Sequence, residues 1–340
     1  MPALSSMPMQ TSPANPRWLC ATALARALAL AWFFLIGLAV EAAPPARVPV
    51  ILDTDIGDDI DDTWALGLLL KSPELDLKLV VGDNGKNLYR AKLLAKFLER
   101  AQRTDVAVGL GIDTAMHGTG GQADWLADYN LNAYPGKVYA DGVQAMIDTI
   151  LKSSEKVTLI AIGPVPNLAA ALAREPRIAS KVRFVGMHGS VRKGYGNANQ
   201  PAAEYNVKED AKACQRALSA AWDITITPLD TCGLVQLSGE DYARVRGAKN
   251  PIAQAILENY RIWLGRDRQA EADTHSSVLF DTVAVYLAIS DRLCTIEELG
   301  IRVTDAGFTV IDPAAKRMRV ATAWKDLPGY EDWLARRLAQ

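Results

Sequence analysis

Residues 48–62 read VPVILDTDIGDDIDD. Six aspartates fall between positions 53 and 62, directly behind the apolar run Val48–Leu52. Apolar side chains at successive positions suit a strand buried on both faces. Gly57 permits a sharp turn that other residues resist. The next residues, DDTWALGLLLKS, read as a helix with Asp61 and Asp62 in its first turn, where the helix dipole favours negative charge. The stretch is therefore strand, turn, helix, with Asp53 closing the strand and Asp55 two positions on, on the same side. Helix capping accounts for one of Asp59, Asp61 or Asp62, but it leaves Asp55 and its neighbours unexplained. A hard divalent cation held by carboxylate oxygens relieves the repulsion among them. An EF-hand does not fit, because the twelfth position counted from Asp53 is Trp64 rather than a bidentate glutamate.

The same alternation continues outward. Strands are expected at Val48–Asp53, Leu77–Gly82, Val106–Gly109, Val157–Ile162, Val182–Met187 and Ile224–Leu229. Helices are expected at Asp61–Lys71, Asn87–Gln102, Tyr139–Ser153, Asn167–Arg174 and Glu209–Ala221. Strand–helix alternation predicts an α/β fold, a Rossmann-like open, mostly parallel sheet flanked by helices. Ligands of such sheets bind beyond the carboxyl ends of the strands. The aspartates, Asp83 and two long irregular segments, Gly111–Lys137 and His188–Pro201, all fall at those ends.

The chain has 340 residues. Arg17 and Arg26 precede the uncharged run Ala27–Val40, and Glu41-Ala42-Ala43 follows it. A basic flank, a short apolar run and small residues describe a secretory signal peptide, here residues 1–42, ahead of a catalytic domain at 43–340. The protein is accordingly expected to be exported, periplasmic or secreted, touching the membrane only through that segment. Removing those residues takes two arginines from 37 basic and one glutamate from 39 acidic residues, which leaves 35 and 38, a net charge of −3. That balance argues against a nucleic-acid partner. Of the four cysteines, Cys20 falls in that leader; the remaining three, Cys214, Cys232 and Cys294, match no zinc spacing, and an odd number is no disulfide framework.

Asp53-Thr-Asp55-Ile-Gly57-Asp-Asp59-Ile-Asp61-Asp62 resembles the signature of the nucleoside hydrolases, the inosine–uridine-preferring family. Three further segments resemble family motifs in the same order: Gly163-Pro164-Val165-Pro166-Asn167-Leu168, Ala203-Glu204-Tyr205-Asn206 and Leu279-Phe280-Asp281-Thr282-Val283-Ala284-Val285. The resemblance runs from Pro49 nearly to the end of the chain. It implies Ca²⁺-dependent cleavage of the N-glycosidic bond of ribonucleosides, with a nucleoside as small-molecule partner and a homo-oligomer, dimer or tetramer. The ion would be held by Asp55, Asp62, Asp281 and the main-chain carbonyl of Ile162, and Asp55 would be the general base toward the attacking water. Asp61, Asn197, Glu204 and Asn206 would hydrogen-bond the ribose hydroxyls, Asn199 being an alternative to Asn197. The D-x-D start also resembles haloacid-dehalogenase-like phosphatases, with Asp53 as nucleophile, but that reading leaves Asp59, Asp61 and Asp62 idle.

The chain departs from the family pattern at Phe280, where many members carry a histidine that assists departure of the base. A phenylalanine donates no proton, though it can stack on a base. Candidates for the base side are therefore Phe280, Asp83, Asn84, His117 and Trp125, the last two in the long glycine-rich segment; Tyr129, His188 and His275 are weaker candidates. The loss of the histidine keeps a second expectation open: a periplasmic nucleoside- or riboside-binding protein of the same fold without turnover.

Overall fold

In the computed structural model, which describes residues 47–115 and 120–340 together with Met9, the run VPVILDT forms strand β1 (Val48–Thr54). The expected leader at 1–42 lies outside the described residues apart from Met9, and His117 lies outside them altogether. The remaining strands are β2 (Leu75–Gly82), β3 (Ala107–Gly109), β4 (Val138–Tyr139), β5 (Val157–Ala161), β6 (Val182–Met187), β7 (Asp223–Thr227), β8 (Cys294–Val303), β9 (Thr309–Ile311) and β10 (Arg317–Trp324). They form one sheet in the order β4-β3-β2-β1-β5-β6-β7-β10-β8-β9. From β4 to β7, and across to β10, every pairing is parallel; only β8 and β9 run antiparallel to their neighbours.

Strand alternation divides the core into two layers. Val50, Leu52, Ile160 and Val185 point into one, where they meet Trp64, Leu68 and Val283. Ile51, Leu159, Ala161 and Phe184 point into the other, against Met146, Leu168 and Ala217. Both faces of the central strands are thus covered, as the unbroken apolar runs require. β1 lies between β2 and β5, with Asp53 level with Val81 on one side and Ala161 on the other. Chain order reverses at this place, so β1 and β5 diverge into a crevice at their carboxyl ends. The aspartates sit in that crevice because they follow β1.

The expected helices form, with shifted ends that have local causes. The helix expected from Tyr139 starts at Gly142, since Val138–Tyr139 pairs with β3 and the Asp141 carboxylate caps by accepting from Gln144 N at 2.9 Å. The helix expected from Glu209 starts at Ala211, because Asp210 caps by accepting from Ala213 N at 2.9 Å; a separate turn, Tyr205–Glu209, precedes it. Beyond β7 lie elements for which the sequence offers no clear period, chiefly the helices Pro251–Leu264, Thr282–Ile289 and Leu327–Ala339. Thr282–Ile289 packs against β5, β6 and β7 and against the helix Asp61–Leu70. Its buried residues run from Thr282 to Ala288 without a break. Cys214, Cys232 and Cys294 are free and buried.

Trp64 ties the helix Asp61–Leu70 to the helices behind it, its fully buried ring lying 6.4 Å from Tyr242 and 6.2 Å from Tyr260. Trp64→Ala opens a cavity there and is expected to destabilise the protein by about 3–5 kcal/mol, read as a lower urea midpoint at unchanged slope.

Candidate active site

The turn between β1 and its helix is held by its own main-chain carbonyls. Arg90, wholly buried, donates to the carbonyls of Asn84 and Asp55, to that of Ile56 at 2.8 Å and to the Asp58 carboxylate at 2.9 Å. Tyr89 Oη donates to Gly57 O at 2.9 Å, Trp263 Nε1 to Asp58 O at 2.9 Å and Gln122 Nε2 to Asp59 O at 3.1 Å. Gly57 has φ +119°, and a Cβ there would lie 2.6 Å from the Tyr89 ring. Only glycine satisfies both the angle and the space.

From this turn the carboxylates converge. Oxygens of Asp61, Asp62 and Asp281 lie within 4.8 Å of one another, all three residues buried. Asp62 accepts from Thr54 Oγ1, and Asp61 Oδ2 from Asp281 N at 3.3 Å. No side chain caps the start of either helix, Asp61–Leu70 or Thr282–Ile289, so these acids are not spent on capping. Two helix N-termini, each with a partial positive charge, face the group instead. Burial first, and neighbouring carboxylates next, push Asp61, Asp62 and Asp281 well above the usual carboxylate range. Burial likewise raises Asp55 to about 7, opposed by the Arg90 guanidinium. Within the group itself no cation offsets the repulsion. Closely spaced oxygen donors without a counter-charge suit a hard divalent cation.

These groups open on a cavity of about 480 Å³, which Asp55, Asp58, Asp59, Asp61, Asp62 and Asp281 line on the acidic side. Ile162, Met187, Glu204 and Asn206 also line it. The Asn206 amide donates to Ile162 O at 3.1 Å and to Met187 O at 3.0 Å, which leaves its own Oδ1 free of those bonds. Glu204 starts the turn Tyr205–Glu209, accepting from Asn206 N at 2.8 Å, Gly189 N at 2.9 Å and Val207 N at 3.3 Å. Burial raises it to about 7, against those three donors. Phe280, Tyr195 and Tyr205 supply the aromatic side of the cavity, beside Gly120 and Gly121. Nothing in the sequence marks Tyr195 or Tyr205 as a site residue by itself, although Tyr205 lies inside the AEYN motif and Tyr195 between two glycines.

Several expected site residues sit elsewhere. Asn197 is exposed, at φ 61°, and does not line the cavity; Tyr195 of the same turn does. Asn199 is exposed and accepts from Lys193 at 2.6 Å. Trp125 is buried against Phe97, under Lys96, with its indole donating to Glu258 at 3.3 Å; together with Tyr129, which bonds Glu99, it anchors the segment rather than facing a ligand. Asn84 is spent on Arg90 and on Thr114 Oγ1 at 2.6 Å. Asp83 is buried behind the cavity beside Asp53. As carboxylates the two offer each other no donor, both Asp83 oxygens and Asp53 Oδ2 lack a partner, and burial raises both. His188 is buried, Nε2 3.2 Å from Gly163 O, and His275 contacts Gln236 and Ser276 O, away from the cavity.

Residues 50–329 match the profile of a family described as "Inosine-uridine preferring nucleoside hydrolase". The pyrimidine-specific ribonucleoside hydrolase RihA of Enterobacter sp. (strain 638) is 30% identical over 316 residues, covering 86% of this chain and 98% of that protein. The protein of the same name from Escherichia coli O7:K1 is 28% identical over 317 residues, with the same coverage. Among solved structures, a plant nucleoside hydrolase, PpNRh1, superposes with a TM-score of 0.73 at 23% identity over 86% of this chain and 99% of that one. A purine-preferring ribonucleoside hydrolase from Gardnerella vaginalis gives 0.69 at 20% identity, over 86% and 98%. These two superpositions establish the α/β fold.

Two substitutions test the geometry. A Cβ on Gly163 would lie 2.5 Å from Asp83 Oδ1 and 2.7 Å from Asp55 Oδ1. Gly163→Ala should displace Asp55 and weaken the affinity for a divalent cation by about tenfold or more, read from the cation-dependent rise in melting temperature. Burial lowers His188 from 6.5 to about 4. The unfolded chain therefore binds the extra proton first, and stability falls as pH drops from above 6.5 toward 4. His188→Gln should flatten that fall by about 3 kcal/mol relative to the parent protein.

Proposed function

We propose that the chain, which belongs to the inosine-uridine preferring nucleoside hydrolase family, hydrolyses the N-glycosidic bond of ribonucleosides with a bound Ca²⁺ and with Asp55 as general base. The observation that carries this reading is the approach of Asp61, Asp62 and Asp281 to within 4.8 Å, on a cavity that Asp55 shares. Asp55, Asp62, Asp281 and the Ile162 carbonyl would hold the ion, Asp61 contributing from the same group. When bound, such an ion lowers the pKa of water and takes vicinal hydroxyls into its shell.

The remaining work falls to the protein. Asp55 accepts the proton of the water that attacks the anomeric carbon. Arg90 fixes Asp55 by holding its main-chain carbonyl. Asp61, the Asn206 Oδ1 and Glu204 accept from ribose hydroxyls, and the three backbone donors on Glu204 set its orientation in advance. The sugar becomes positively charged as the C–N bond stretches, and the surrounding carboxylates stabilise that charge. In the same reading residues 1–42 direct export and are removed, and the mature protein is a homo-oligomer. Phe280 supports the second reading, a riboside-binding protein without turnover, because it removes the expected proton donor.

Ribose release from uridine and inosine separates the two. Release is expected, to be lost with a chelator and restored by Ca²⁺; a protein that binds uridine without releasing ribose would establish the second reading. Asp55→Asn should lower kcat by about 10³-fold. A ribose site built of buried acceptors leaves one unpaired when a hydroxyl is missing, so 2′-deoxyuridine should have a kcat/KM at least about 100-fold below that of uridine. Amino-terminal sequencing of the exported protein should begin at Ala43.

A further inference from the structure

We propose that Tyr195 takes the place of the missing leaving-group donor: its hydroxyl hydrogen-bonds the base as the glycosidic bond breaks. The inference rests on the hydrolase reading and concerns a residue outside the four family motifs.

Elimination narrows the donors. Among the described residues lining the cavity there is no histidine, lysine or arginine. The Asn206 amide protons are committed to two main-chain carbonyls. Asp58 is paired with Arg90. Among the described lining residues that the hydrolase reading does not place on the ion or the ribose, what remains is the pair of phenols, Tyr195 and Tyr205, with Asp59 as a third candidate.

Geometry favours Tyr195. Its ring stands edge-on to Phe280, with centroids 6.2 Å apart and an interplanar angle of 75°, so the two rings form one wall at the position from which the family's histidine is absent. The Tyr195 oxygen accepts from Tyr205 N at 2.9 Å. A main-chain donor at that oxygen occupies a lone pair and leaves the hydroxyl proton to donate elsewhere. Burial and the Glu204 carboxylate raise the phenol, which keeps that proton in place. Tyr205, by contrast, is raised by burial and by the carboxylates of Asp55 and Glu209.

The loop that carries Tyr195 is firmly seated. The Asp230 carboxylate accepts from Val191 N at 2.9 Å and Arg192 N at 2.8 Å. Ser190 Oγ donates to Lys193 O at 2.6 Å and accepts from Ala202 N at 2.8 Å. Gly194 N then closes the turn on Ala198 O at 3.0 Å. A donor on a braced loop is positioned before the substrate arrives, which is what charge stabilisation in a transition state requires. In the step itself the electron pair of the breaking C–N bond moves to the base, where the Tyr195 hydrogen bond stabilises it. The water oxygen bonds the anomeric carbon and gives its proton to Asp55, and the base takes a proton from solvent while Tyr195 keeps its own.

The test compares two leaving groups. Uridine needs help to release its base, whereas 4-nitrophenyl β-D-ribofuranoside releases a stable phenolate without it. Tyr195→Phe should lower kcat about 100-fold on uridine and less than about threefold on the nitrophenyl riboside, with KM for uridine little changed. Equal losses on both substrates, or no loss on either, would overturn the assignment, as would the same split appearing in Asp59→Asn or Tyr205→Phe and not in Tyr195→Phe. A parent protein that cleaves neither riboside would overturn the hydrolase reading itself, and the inference with it.

Discussion

Carboxylates that repel one another can be crowded only if something other than their charges fixes where they stand. Here the main chain does so. The carbonyls of Asp55, Ile56, Gly57, Asp58 and Asp59 are each claimed by a side chain from another element: Arg90 and Tyr89 from the helix behind β2, Gln122 from the glycine-rich segment, and Trp263 from the helix Pro251–Leu264. Arg90 brings a buried guanidinium to the turn, and its charge is opposed by Asp55 and Asp58 together. The turn therefore cannot relax to spread its carboxylates without breaking neutral and charged hydrogen bonds in a buried place, where each is costly to lose. Stability drawn from three separate elements is what permits the local repulsion, a pattern common where chemistry needs charges close together.

The sheet supplies the second constraint. Because chain order reverses at β1, the crevice lies beside the strand that carries the aspartates, and β5 brings Ile162 to the same level one register step beyond Ala161. The second contributor arrives from far along the chain. Asp281 is placed by the helix Thr282–Ile289, whose fully apolar surface leaves it no stable position except between the sheet and the helix Asp61–Leu70. Packing and function meet in that helix: burying Val283, Val285 and Leu287 carries Asp281 to Asp61 and Asp62 across 220 residues of sequence.

How much of this was legible in the sequence follows from how local each signal is. Strands β1, β2, β5, β6 and β7 announce themselves by short, mainly apolar runs, and the acidic turn by composition alone. The β8–β10 region alternates in burial less regularly and mixes charged residues such as Glu297, Glu298 and Arg302 into its strands, so no single period stands out. Site residues in motifs, Asp55, Asp61, Asp62, Glu204, Asn206 and Asp281, all line the cavity or its edge. Residues that act through the main chain of others, Arg90 above all, carry no local signature; a buried arginine looks like any other in a helix of alternating charge. Trp125 misled for the converse reason. An aromatic in a long loop has the composition of a ligand contact, and only packing against Phe97 reveals it as an anchor.

The replacement at Phe280 alters how the site divides its labour. A histidine next to Asp281 would hold a proton beside several carboxylates, and its basicity would rise with their charge. A phenylalanine in that place is indifferent to them, so hydrogen-bond donation to the base moves to a group whose own ionisation the carboxylates suppress. Tyrosine meets that condition: nearby negative charge raises a phenol and keeps it protonated, where it would also raise an imidazole and hold it charged. The exchange gives up proton transfer, since the phenol keeps its proton and lends the base only a hydrogen bond, and it gains a donor that stays protonated through neutral pH. An aromatic wall of Phe280 and Tyr195 therefore provides apolar area for a flat base and a single directional donor at its edge.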